Sequence, residues 1–155
     1  MSAAPAAPTL VLAWGNPSRG DDALGPLFAD AIDALALPGV ECLCDFQLQV
    51  EHALDLRGRA RVLFVDAARD DALPVHAPFV LSALAAARDA SFTSHALSPA
   101  ALLQVYRDTE HAAPPPCWLL GIRGHAWALG APPSAAALRH LRQALDWARD
   151  WLRER

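Results

Sequence analysis

The chain has too few cysteines for a disulfide framework. Of its three in 155 residues, Cys42 and Cys44 stand two apart on an expected strand, so they share a face with poor geometry for a mutual bridge. No C-x-x-C is present to suggest zinc or redox work, and all three are expected to be apolar fillers. Basic charge is not in excess either. A formal net charge of −4 and a pI near 5.8, with scattered arginines, leave no electrostatic footprint for nucleic acid. No apolar run approaches the roughly 20 residues that span a bilayer. Residues 1–8 lack a basic n-region and an adequate h-region, so they are expected to be a disordered leader on a cytoplasmic protein rather than a signal peptide. Missing too are G-x-G-x-x-G, the P-loop, the G-x-S-x-G elbow and the H-E-x-x-H helix, which removes the usual warrants for dinucleotide, nucleotide, serine-hydrolase and zinc-protease chemistry.

What is present reads as one α/β domain over residues 9–155, long enough to bury a real core. Thr9–Trp14, Val40–Cys44, Arg61–Asp66 and Cys117–Ile122 read as strands, the third being a continuous apolar run suited to a position covered on both faces. Leu24, Leu27, Phe28, Ile32 and Leu35 recur at helical spacing, and a short helix is expected from Val50 to near Gly58. Phe79–Leu81 is a further strand whose Ala-rich continuation to Arg88 could equally be helical. Ser98-Pro99 opens a helix with Ser as cap and Pro at the first position. Pro132-Pro133-Ser134 opens the last helix, with Leu138, Leu141, Leu145, Ala148 and Leu152 on its apolar face. Strands alternating with helices predict a three-layer α/β/α sandwich with a largely parallel or mixed twisted sheet.

Three polar positions fall at element edges: Asp22, Asp66 and His95. Asp66 ends an apolar strand, on the same sheet edge as the loop from Gly15 to Gly25. Asp21 and Asp22 precede a helix, where capping and the macrodipole would account for one acid more readily than two. His95 lies just ahead of the Ser98 cap. Together Asp22, Asp66 and His95 form a one-imidazole, two-carboxylate set that suits a divalent first-row metal with open positions. His52, His76, His111, His125 and His140 have no equivalent context and read as solvated or structural.

These residues resemble the hydrogenase maturation protease family. Gly15 to Gly25 matches its G-N-x-x-x-x-D-D/E-x-x-G loop, Val65-Asp66-Ala67 its strand-end acid, and Ser94-His95-Ala96-Leu97-Ser98 its histidine before a helix. The order of motifs covers nearly the whole chain. The resemblance implies an endopeptidase that removes a C-terminal extension from a nickel–iron hydrogenase large-subunit precursor once nickel is inserted. Asp22, Asp66 and His95 would be the catalytic, metal-contacting triad, engaging nickel presented by the substrate rather than tightly held. Gly15, Asn16, Asp21 and Gly25 would shape the loop. Many members carry a Gly-Thr-containing turn after the second strand; here Asp45, Phe46 and Gln47 take its place and are the expected substrate-recognition residues. A monomer with no nucleic-acid or membrane partner is expected. Metal and carboxylate both stand as candidates to activate the attacking water.

Two other readings compete. A metal-sensing, chaperone-like module could bind the loaded precursor without cutting it, since no protease nucleophile is visible. A flavodoxin-like binder could use the same loop for an anion, although two carboxylates there would repel a phosphate.

Overall fold

Leu10 to Ala13 and Val62 to Val65 have no solvent exposure at all, as strands covered on both faces require. They lie at the centre of the sheet in the computed structural model, which describes residues 6–88 and 97–154. Among the described residues five strands pair in the order β2-β1-β3-β5-β4: β1 (Thr9–Trp14), β2 (Val40–Asp45), β3 (Arg61–Arg69), β4 (Phe79–Ala83) and β5 (Cys117–Gly124). β1, β2, β3 and β5 are parallel and β4 runs antiparallel along β5.

Helices α1 (Leu24–Ala34) and α3 (Ala135–Arg153) cover one face, where Val11, Leu63, Val65 and Leu120 meet Phe28, Ile32, Ala144 and Ala148. Helix α2 (Pro99–Glu110) and the 3-10 segment Val50–Leu56 cover the other, where Leu10, Leu12, Val62 and Phe64 meet Leu56, Leu102, Leu103 and Tyr106. The chain passes from β1 to β2 on one side and then to β3 on the other. Such a topological switch point is where open α/β sheets form their ligand crevice, here at the carboxyl ends of β1 and β3.

Several expectations are corrected. β3 does not stop at Asp66 but runs three residues further, because β5 also continues past Ile122 and supplies partners as far as Arg69↔Gly124. The continuation after Phe79–Ala83 is irregular rather than helical through Arg88. Leu138 is 37% exposed, so the buried stripe of α3 is Ala137, Leu141, Ala144, Ala148 and Leu152. Cys44 is exposed on β2 rather than filling the core. The expected leader is not free to residue 8: the Ala7 carbonyl accepts from Arg59, and the Pro8 carbonyl from the N–H groups of Ala60 and Arg61. No helix among the described residues is long and apolar enough to cross a membrane.

At the amino ends of the strands, Arg61 fastens α3 to the sheet. Its guanidinium donates to the carbonyls of Trp151, Leu152 and Glu154 and to the Thr9 hydroxyl, and it lies 4.3 Å from the centre of the Trp151 ring. Lysine could match neither the fork of donors nor the stacking. Arg61→Lys is expected to lose about 2 kcal/mol of stability, seen as a lower urea midpoint with an unchanged slope.

Candidate active site

The crevice is built by a loop that two glycines allow to fold tightly. Gly15 adopts φ +150°, and a Cβ there would stand 2.0 Å from the Asp22 carbonyl oxygen; a Cβ at Gly25 would stand 2.3 Å from that of Trp14. The chain therefore leaves β1, turns, and returns so closely that Asp22 lies against Gly15 and the first turn of α1 against Trp14. Asn16 shapes the turn. Its side-chain oxygen accepts from the Ser18 N–H at 2.9 Å, and its own N–H donates to Asp22 Oδ2 at 2.7 Å. Asp22 thus has one oxygen fixed by backbone.

Asp66 stands level with Trp14, one step beyond the Ala13↔Val65 pair. Strand alternation turns both toward the α2 face, with Phe64 and Leu12. Burial, and after it the charge of Asp22, push the Asp66 carboxyl up to about 7; hydrogen bonds from the Ala67 N–H and the Trp14 indole only partly oppose them. Asp66 is therefore no ordinary carboxylate ionised throughout the neutral range. This is a shift toward the pKa a proton carrier needs near neutral pH.

Asp21 behaves in the opposite way. Its side chain is fully buried and accepts from the N–H groups of His125 (2.7 Å), Ala126 (3.0 Å) and Ser134 (2.6 Å) and from the Ser134 hydroxyl (2.8 Å). Burial alone would raise its pKa, but these donors outweigh it and hold the carboxyl below its ordinary value. Neither Asp21 nor Asp22 caps a helix: no side-chain cap bond is made at the start of the Gly20–Ala23 turn or of α1. One acid binds the β1–α1 loop to the β5–α3 connection, and the other faces the crevice.

Asp45 pairs with Trp14 at the end of β2, which extends the row Asp45, Trp14, Asp66 across the sheet edge. Its carboxylate accepts from the Phe46 N–H at 2.7 Å and lies 3.3 Å from His52 Nε2. His52 Nδ1 accepts from the Gln49 N–H at 2.9 Å, so Nε2 carries the proton toward Asp45. Phe46 is 66% exposed and Gln47 is exposed beside it. The structure thus brings Asp22 and Asp66 together, with Asp45, Phe46 and Gln47 on the same edge. His95 lies outside the described residues. Among those described, no three His, Cys, Asp or Glu side chains group closely enough to hold a metal. Sequence reasoning missed Trp14, whereas His52 takes a structural role of the kind expected, bonding the Gln49 N–H and standing beside Asp45. For Trp14 the signal was available, because a strand-end indole two residues before Asn16 shares the parity of the facing acid.

Two outcomes follow. Asp21→Ala leaves three backbone N–H groups unpaired and is expected to cost about 3 kcal/mol or more in urea unfolding. Asp66 gives a pH signature of known sign. Its folded pKa of about 7 exceeds the unfolded value of about 3.9, so the folded state holds the extra proton between these values. Stability then falls as pH rises through that window. Asp66→Asn should match the parent near pH 4 and exceed it at pH 8 by on the order of 4 kcal/mol; a parallel pH course for the two would refute the buried acid.

No family model matches the chain, and no curated protein does. Solved structures are similar over nearly its whole length. HycI, a NiFe hydrogenase maturation protease from Thermococcus kodakarensis KOD1, superposes with TM-score 0.75 at 18% identity, covering 96% of this chain and 94% of that one. The hydrogenase maturating endopeptidase HybD from E. coli gives 0.70 at 22% identity over 94% and 91%. A hydrogenase 2 maturation peptidase from a Thaumarchaeota archaeon gives 0.65 at 20% identity over 94% and 99%. At these identities the likeness establishes a shared three-layer α/β fold with a mostly parallel five-stranded sheet.

Proposed function

We propose that this chain is an endopeptidase that removes the C-terminal extension of a nickel–iron hydrogenase large-subunit precursor after nickel insertion. The observation that carries the proposal is the Asp22–Asp66 pair at the switch point, in a fold that solved hydrogenase maturation proteases share. Asp22, Asp66 and His95 are the contacts to nickel, which arrives as part of the substrate. Carboxylate and imidazole are hard and borderline donors suited to a divalent first-row ion with open positions.

Peptide hydrolysis needs a group that takes a proton from water as it adds to the carbonyl and returns it to the departing nitrogen. A carboxyl near 7 does both at neutral pH. Asp66 fills that role, and Asp22, held by the Asn16 N–H, places the negative charge beside it. A cation delivered with the precursor would favour the ionised form of Asp66, which then takes the proton from the attacking water and passes it to the departing nitrogen. The exposed Phe46 and Gln47, with Asp45 behind them, stand where the bound segment enters and select it.

The test is incubation with nickel-loaded and nickel-free precursor, followed by intact-mass measurement. Loaded precursor is expected to lose its C-terminal segment and nickel-free precursor to stay whole. Asp22→Asn, Asp66→Asn and His95→Ala should each slow processing by about a thousandfold or more, with unchanged circular dichroism. A stable complex of uncut loaded precursor would establish the non-cleaving module instead, and parental rates in a folded His95→Ala protein would remove His95 from the triad.

A further inference from the structure

At the same sheet edge the end of β5 opens onto a second cavity of about 320 Å³. It is walled by Asp70 and His76 of the β3–β4 connection, by Arg123 and His125, and by Arg139 and His140 in the second turn of α3. β3 and β5 run from the Asp66↔Gly121 pair to Arg69↔Gly124 before reaching it, roughly 10 Å of strand.

Its charges do not cancel. The buried Arg123 uses four of its five N–H donors, on the carbonyls of Ala77, Asp70 and Pro74 and on the Asp70 carboxylate. Asp70 is thereby neutralised. His140 Nδ1 lies 3.2 Å from the Arg123 carbonyl oxygen; that oxygen only accepts, so Nδ1 bears the proton, and Nε2 donates to an anion only as imidazolium. The rings of His125 and His140 are 5.3 Å apart. Arg139 is exposed and makes no ion pair among the described residues. In a chain of net charge −4, the Arg139 guanidinium and three imidazoles therefore line one cavity, His125 Nδ1 standing 3.6 Å from Asp70 Oδ1. No metal-holding group of three donors occurs among the described residues. Anion chemistry is left, and a forked guanidinium matches a carboxylate with two parallel bonds.

We propose that this cavity receives a carboxylate of the peptide bound at Asp22 and Asp66, from an acidic side chain or the chain terminus. The identity of that peptide rests on the endopeptidase reading; the carboxylate site does not.

The test follows the imidazole resonances of the full-length protein at about pH 6.5 during titration with three probes. These are an acetylated tetrapeptide with a free terminal carboxylate, the same peptide amidated, and inorganic phosphate. Saturable shifts of His125 and His140 are expected with the free carboxylate and not with the amide, weakened about tenfold by Arg139→Ala. Phosphate binding as tightly as the peptide would overturn the assignment to a peptide group. An absent or unsaturable shift, or one undiminished in Arg139→Ala, would overturn the site. Carboxylate binding by a protein that cuts no precursor would support the site and sink the endopeptidase reading alone.

Discussion

The structure turns on one buried carboxylate. Removing an ion such as Asp21 from water costs several kcal/mol unless its oxygens are fully engaged. Engagement here draws on residues more than a hundred positions away in the chain. The donors reach Asp21 only when the segment between β5 and α3 wraps over the loop that follows β1. The same wrap is reinforced by backbone bonds from Gly20 to Ala131, Asp21 to Ala126 and Gly130 to Ser18. Once it has formed, the next residue has little freedom, and Asp22 is delivered to the crevice by backbone rather than by a choice of rotamer.

Asp66 shows what the same side chain does with fewer donors and a charged neighbour. Asp21 is held below its ordinary pKa by four hydrogen bonds, while Asp66 is raised by burial and by Asp22. Two acids whose environments drive them in opposite directions take different work. One keeps its charge and holds the fold together; the other gives up its charge easily and penalises the fold at high pH.

Much of this was legible in the residues. The apolar runs 10–13 and 62–65 could only be inner strands, and Ser98 and Ser134 announced two helix starts, each now accepting from the N–H three residues on. The segment from Gly15 to Gly25 stood out by its two adjacent acids ahead of a helix, and Cβ positions at Gly15 and Gly25 would collide with backbone. Long-range partners decided the rest. Nothing local says that β3 outlasts Asp66, since that depends on β5 running alongside. Leu138 is as apolar as Leu141, yet only the packing of α3 on the sheet separates them. Asp21 looked like a helix acid, because its true partners belong to a distant connection. His125 and His140 became neighbours only through the meeting of β5 and α3.

Helix α3 is anchored at both ends. At its start the Ser134 hydroxyl accepts from the Ala137 N–H and donates to Asp21; at its finish the last carbonyls are gripped by Arg61. Its 19 residues span about 28 Å, so the helix acts as a gauge between the two edges of the sheet. Inserting or deleting one residue would shift one anchor by about 1.5 Å and rotate it by about 100°, breaking either the Asp21 end or the Arg61 end. Length variation in this architecture is therefore barred from α3 and must fall in exposed connections.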